Sequence, residues 1–166
     1  MKRMLGAALA LLVTPAILSG AAWAAQTLPE ELGVSLEIVE ACTVGTIVPI
    51  NFGTQGTLAA AVTATGSVSV TCPEEVEYSI ALSAGEGDAA TIATRKMTSL
   101  AEGTIEYSLY QNSGHSTVWG DTPGTNTLNS VGTGVAQVHT IYGLVPTQET
   151  PLVGVYEDTV TVVVHY

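Results

Sequence analysis

An alternation of apolar and polar residues with a period of two runs through most of the chain beyond residue 31. Successive side chains of a β-strand point to opposite faces, so this period predicts strands that bury one face. No window of roughly eleven residues shows the i, i+3, i+4, i+7 spacing of an amphipathic helix. The apolar positions of the clearest runs are Leu32, Val34, Leu36 and Ile38; Val68, Val70 and Cys72; Tyr78, Ile80 and Leu82; Ile105, Tyr107 and Leu109; Val138, Thr140, Tyr142 and Leu144; and Val160, Val162, Val164 and Tyr166.

Short segments rich in turn-forming residues separate these runs. Glycine, proline and aspartate are concentrated at residues 53–56, 85–88, 120–124, 132–134 and 151–154. Val and Thr, which are stiff at χ1 and suit a pleated surface, dominate the runs themselves. Short strands with frequent turns in one domain predict an all-β fold, an antiparallel β-sandwich.

The first 24 residues have the organisation of a cleaved signal peptide. Lys2 and Arg3 form a charged start, an apolar stretch follows over residues 4–17, and the small-x-small tripeptide at 22–24 predicts cleavage before Ala25. The alternative is a transmembrane anchor, which needs roughly 20 uninterrupted apolar residues. A proline, a serine and a glycine interrupt this stretch, so we expect export and cleavage.

The charge balance excludes several classes of partner. The whole chain has 4 basic and 15 acidic residues and a net charge of −11. Without residues 1–24, Arg95 and Lys96 remain as two bases against 15 acids, which leaves −13. Affinity for nucleic acids and for anionic membranes comes mainly from Lys and Arg, so neither is an expected partner.

The two cysteines predict one structural disulfide. Cys42 and Cys72 are 30 positions apart, which excludes a CxxC redox or zinc motif. Both lie in phase with apolar faces, and thiols of exported proteins pair and persist as disulfides. Closing a loop of this length stabilises a fold by about 3 to 4 kcal/mol in the chain-entropy model.

No constellation of residues predicts catalysis or cofactor binding. His115, His139 and His165 are scattered, without the spacing of metal ligands. The chain has no nucleophile elbow, no Walker loop and no dinucleotide-binding glycine motif. Adjacent carboxylates such as Glu74 and Glu75 are typical of solvated turns. We therefore expect a protein that is not an enzyme, with no cofactor and no metal site.

The two ends of the mature chain are unusual for a complete sandwich. The run at 32–38 starts soon after the cleavage site, and the last run continues to Tyr166. A seven-stranded sandwich normally has one more strand after such a last run, and a missing strand leaves an apolar groove. The alternative is that residues 32–41 fold back as the first strand of their own domain.

Short motifs in order along the mature chain resemble those of the spore coat protein U domain family. The family's members resemble the subunits of archaic, Csu-type chaperone-usher pili of Gram-negative bacteria. The matching stretches are residues 41–44 (ACTV), 51–54 (NFGT), 67–72 (SVSVTC), 78–82 (YSIAL), 95–97 (RKM), 107–110 (YSLY), 117–121 (TVWGD), 142–146 (YGLVP) and 154–162 (GVYEDTVTV).

The resemblance implies an immunoglobulin-like sandwich that is incomplete, with its last strand supplied by another chain through donor-strand complementation. In such pili a periplasmic chaperone fills the groove until an outer-membrane usher replaces it with the next subunit's N-terminal extension. Residues 1–24 are then the signal peptide, 25–41 the donor-strand extension and 42–166 the sandwich domain. The implied donor residues are Leu32, Val34, Leu36 and Ile38, and the implied last strand at the groove edge contains Val160, Val162, Val164 and Tyr166.

The leading hypothesis is a structural subunit of a surface pilus that serves adhesion or biofilm formation. Its expected partners are neighbouring pilus subunits, a periplasmic chaperone and an outer-membrane usher, with no nucleic acid. Its expected location is the periplasm and then the cell surface. Tip adhesins of these pili have a second domain, so a shaft or connecting subunit is expected. The alternative is a self-contained secreted β-sandwich that acts as a binding module or coat component.

Overall fold

The computed structural model describes residues 33–37, 39, 41–100 and 103–166. The predicted signal peptide, the predicted donor residues Leu32 and Ile38, and most of the predicted extension lie outside these residues. The chain divides into two units, Met1–Glu37 and Ile38–Tyr166. Residues 33–37 of the first unit have no regular secondary structure.

All regular secondary structure of the described residues is β, and no described helix is long and apolar enough to cross a membrane. The strands are β1 (Thr43–Val48), β2 (Val62–Thr71), β3 (Glu77–Leu82), β4 (Arg95–Thr98), β5 (Thr104–Tyr110), β6 (Leu128–Val131), β7 (Gln137–Val145) and β8 (Val162–His165). Five of them form one antiparallel sheet in the order β1-β2-β7-β5-β4. The other three form a second antiparallel sheet in the order β6-β3-β8.

Both sheets contribute to one hydrophobic core, so the predicted all-β sandwich is confirmed. Val68 and Val70 of β2 and Ile80 of β3 are completely buried and belong to the same apolar cluster. The predicted inner faces of β2, β3 and β5 are confirmed as well, since their apolar positions lie in this cluster or against it.

The prediction for β7 was wrong by one residue. Val138, which the sequence placed on the apolar face, is 68% exposed, whereas Ile141, Gly143 and Val145 are buried. A Cβ added at Gly143 would lie 2.9 Å from Phe52 Cζ, so the glycine makes room for the chain that links β1 to β2. An inner position occupied by glycine removes the apolar signal that sequence periodicity depends on.

Polar residues also occupy the inner face of β7. His139 Nε2 lies 2.8 Å from Tyr78 Oη, which donates a hydrogen bond to Gln137 Oε1 at 3.2 Å. Burial lowers the pKa of His139, so the imidazole is kept neutral in this environment. A buried tyrosine hydroxyl thus finds its partners across the two sheets, as buried polar groups require.

The predicted disulfide is present. Cys42 is bonded to Cys72 with a Cα–Cα distance of 4.3 Å. Cys72 is completely buried at the end of β2, whereas Cys42 precedes β1 and is half-buried. The bond therefore fixes the start of edge strand β1 to the core.

Trp119 packs at the centre of the core and makes two main-chain hydrogen bonds there. Its indole Nε1–H donates to Ile80 O at 2.8 Å, and its backbone N–H donates to Leu109 O at 2.8 Å. Because Leu109 belongs to β5 and Ile80 to β3, Trp119 links the two sheets.

Arg95 is a completely buried cation at the start of β4. Its guanidinium donates four hydrogen bonds to main-chain carbonyl oxygens, those of Leu82 (3.1 Å), Ser83 (2.8 Å), Ile92 (3.0 Å) and Trp119 (2.8 Å). Burial lowers the pKa of the guanidinium, and the nearby Tyr107 and Asp158 oppose this change. The sequence had shown Arg95 only as one of two basic residues of the mature chain.

Candidate functional site

Strand β8 lies at the edge of the three-stranded sheet. Among the described strands it pairs with β3 only, through Val162 opposite Leu82 and Val164 opposite Ile80. In the described part of the chain, no strand pairs with its other edge. An edge of this kind presents free N–H and C=O groups that another strand can bind.

One face of this edge is apolar and only partly covered. Val160, Val162 and Val164 are half-buried and pack against the core, as the alternation of the last run predicts. Val163 points to the other face and is 44% exposed. Tyr166 follows the end of β8 and is 59% exposed, so it does not pack into the core.

Strand β1, at one edge of the five-stranded sheet, has apolar side chains on its inner face that are only partly covered. Directly opposed residues of antiparallel strands point to the same face, and Val44 opposes Val70 while Ile47 opposes Val68. Both residues of β2 have zero exposure, but Val44 is 44% and Ile47 is 49% exposed. Strand β1 therefore turns apolar side chains towards the core side of its sheet, and nothing among the described residues fully covers them.

Sequence reasoning missed these two residues. Val44 and Ile47 are three positions apart, so a strict period of two places them on opposite faces. The register of β1 against β2 shifts between them, which returns both side chains to one face. The GT pair at 45–46 was a signal of this irregularity, because glycine within a strand often marks a bulge.

The described donor residues are strongly exposed. Val34 is 88% and Leu36 is 87% exposed. Burying large aliphatic side chains lowers the free energy of a protein in water. An exposed alternating pair is therefore a candidate for contact with another apolar surface. Whether Val34 and Leu36 bind to β8 of another subunit remains a prediction, as does the part that Leu32 and Ile38 play in it.

The described residues contain no cluster of side chains typical of a metal site. Among the described residues, no cluster of three or more His, Cys, Asp or Glu side chains could hold a metal ion. The three histidines lie apart. His139 lies beside Tyr78, and His165 is in β8. His115 packs edge-to-face on Tyr110, with their ring centroids 5.2 Å apart.

The described residues form an all-β sandwich in which the outer edge of β8 is unpaired. A model of the Spore Coat Protein U domain family matches residues 29–163. The chain belongs to this family, as the motifs in its sequence predicted.

A solved structure has the same fold. It is the crystal structure of the CsuC–CsuE chaperone–tip adhesion subunit pre-assembly complex from the archaic chaperone-usher Csu pili of Acinetobacter baumannii. One of its chains is similar to this protein with a TM-score of 0.55 and 23% sequence identity, over 78% of this chain and 40% of that one. The present chain thus spans two fifths of the length of its structural neighbour. A comparison with curated protein sequences returned no match.

Proposed function

We propose that this chain is a structural subunit of a surface pilus, assembled by the chaperone-usher pathway through donor-strand exchange, and that the fibre serves adhesion or biofilm formation. The observation that carries the proposal is the pair of uncovered apolar strands. Strand β8 has a free edge with a half-buried face, and β1 exposes Val44 and Ile47 on the core side of its sheet. An added strand from another subunit gains main-chain hydrogen bonds and covers apolar surface at once.

The donor is the N-terminal extension over residues 25–41, ahead of the sandwich domain over residues 42–166. Its alternating apolar residues are Leu32, Val34, Leu36 and Ile38. At about 1.5 to 3 kcal/mol per buried side chain, four of them contribute about 6 to 12 kcal/mol before ordering costs. That is enough for a joint between subunits that persists in detergent.

Export and partners follow from the same proposal. Residues 1–24 direct the chain to the periplasm and are removed there. A periplasmic chaperone protects the free edge of β8 until an outer-membrane usher exchanges it for the next subunit's extension. The structural neighbour's title describes a chaperone bound to a pilus subunit, which supports a chaperone as the first partner.

Deleting residues 25–38 is expected to abolish polymers of this chain while leaving an intact acceptor edge. An unboiled denaturing gel of surface extract measures this, because donor-strand joints resist detergent and give a ladder of multiples. We expect a ladder for the unaltered chain and a single band for the deletion, recovered bound to a chaperone. When mixed with the deleted form, the unaltered chain should donate a strand to it.

Leu36→Asp and Ser35→Asp form a matched pair for the same experiment. Both introduce one carboxylate, but alternation places Leu36 on the donor face and Ser35 on the other. We expect the ladder to disappear with Leu36→Asp only. A full-length chain that stays monomeric without any chaperone, and a deletion that unfolds, would contradict the proposal and favour a self-contained secreted β-sandwich that acts as a binding module or coat component.

A further inference from the structure

The segment that leads into β8 is attached to both sheets by hydrogen bonds. Glu157 and Thr98 at the end of β4 exchange two main-chain hydrogen bonds of 2.9 and 3.0 Å. Thr161 N–H donates to Ser83 Oγ at 2.9 Å, and Ser83 N–H donates to Thr161 O at 3.0 Å. The entry to β8 is thus tied to both sheets before its pairing with β3 begins.

The Asp158 carboxylate lies between these two attachments and accepts three hydrogen bonds. Oδ1 accepts from the backbone N–H of Glu86 at 2.7 Å and from that of Thr159 at 2.8 Å. Oδ2 accepts from the Tyr107 hydroxyl at 2.6 Å. One side chain therefore joins the entry of β8 to β5 and to the loop between β3 and β4.

The loop and the tyrosine are both suited to this role. Gly85 has a φ of +87°, and a Cβ at this position would collide with the Asp158 carboxylate. Burial and the hydrogen bond to Asp158 raise the pKa of Tyr107 well above its ordinary value, so the hydroxyl remains a donor. Hydrogen bonds to a charged acceptor are roughly twice as strong as neutral ones.

We propose that Asp158 is a positioning residue that holds the entry of β8 in place while the outer edge of β8 is unpaired, and so keeps that edge ready to accept a strand. The strand is four residues long and has one neighbour, β3, among the strands that the structure describes. A strand of this kind frays readily unless it is anchored, because local opening follows the number of contacts. Anchoring its first end also reduces the ordering cost of strand addition, so this inference rests on the proposed function.

Hydrogen–deuterium exchange of the full exported chain tests the anchoring directly. In Asp158→Asn and Asp158→Ala, the amides of residues 159–165 should exchange about tenfold or more faster, as expected from the loss of charged hydrogen bonds, while those of β2 should not change. Tyr107→Phe should raise the same rates by a smaller factor. Glu157→Gln is the matched control, since the hydrogen bonds described for Glu157 use its main chain only.

Uptake of a strand tests the link to assembly. The probe is a labelled peptide of residues 30–40, added to the monomeric fraction of the full chain, and the same peptide with Leu36→Asp is the negative control. We expect Asp158→Ala to take up the peptide about tenfold more slowly than the unaltered chain. The uptake rate of Asp158→Asn should lie between those of Asp158→Ala and the unaltered chain, because an amide oxygen can still accept from two of the three donors.

The outcomes separate the two proposals. Faster exchange throughout β2 as well as β8, or equal uptake by the unaltered chain and Asp158→Ala, would overturn the positioning role and leave the pilus proposal standing. If the unaltered chain takes up no peptide, the proposed function fails, and the strand-accepting role assigned to β8 fails with it. If Asp158→Ala does not fold, Asp158→Asn and Tyr107→Phe decide the question by the same measurements.

Discussion

Replacing Arg95 by Met is expected to lower the free energy of unfolding by about 3 to 5 kcal/mol. The guanidinium is completely buried and donates to four main-chain carbonyls, so methionine fills the volume but leaves those acceptors without a partner. Each orphaned buried acceptor costs about 1 to 3 kcal/mol, and the avoided desolvation of the cation offsets part of this loss.

Urea unfolding followed by tryptophan fluorescence measures the effect, with Trp119 as the buried reporter. Lys96→Met is the matched control, because Lys96 is the next residue and makes one exposed hydrogen bond, to Asp88 O at 3.1 Å. We expect the control to stay within about 0.5 kcal/mol of the unaltered chain. An Arg95→Met variant of equal or greater stability would contradict this role of Arg95, because it would mean that the carbonyls find other partners.

Removing the disulfide with Cys42→Ala and Cys72→Ala together is expected to lower the free energy of unfolding by about 3 to 4 kcal/mol. The bond closes a loop with a sequence separation of 30 and fixes the start of β1, which within the described part of the chain pairs with β2 only. Part of the loss should therefore be local, with a larger rise in amide exchange over residues 43–48 of β1 than over β2.

The reduced form of the unaltered chain is the control for the disulfide, and it should unfold at the same urea concentration as the double variant. Because Val44 and Ile47 belong to the strand that becomes loose, we also expect weaker polymer formation. Equal stability of the oxidised chain and the double variant would show that the bond adds nothing to the fold.

The sequence predicted the fold class and most strands because their apolar residues alternate without interruption. Tyr78, Ile80 and Leu82 point inward as expected, and the disulfide joins the two cysteines that shared this phase. The alternation was sufficient to predict the buried face of a strand wherever the residues of that face are all apolar.

The failures have a physical cause at particular residues. In β7 the inner face contains Gly143, where a ring packs against the backbone, and His139, which contacts a buried tyrosine, so neither gives an apolar signal. In β1 the shift in register hides the common face of Val44 and Ile47. Strands β4 (RKMT) and β6 (LNSV) are four residues long, and their apolar and polar residues do not alternate, so they give no period of two.

The candidate site was predicted in part. The alternation placed Val160, Val162 and Val164 on one face, and the structure puts β8 at a sheet edge with this face against the core. Neither periodicity nor composition indicated that Asp158 joins three elements, because its partners are two main-chain amides and a tyrosine far along the sequence. Such contacts depend on the tertiary fold alone.

Cysteine cross-linking between the extension and β8 tests donor-strand exchange most directly. Neighbouring strands of one sheet place side chains of the same face together, so Leu36→Cys combined with Val162→Cys or Val164→Cys should form disulfides between subunits. Leu36→Cys combined with Val163→Cys should form no disulfide, because Val163 points to the other face. The expected result is a ladder that survives boiling without reductant for at least one same-face pair, and its absence for the Val163 pair. A cross-link formed within a single monomer, or no cross-link for any same-face pair of these residues, would contradict the assignment of this chain as a donor-strand polymer.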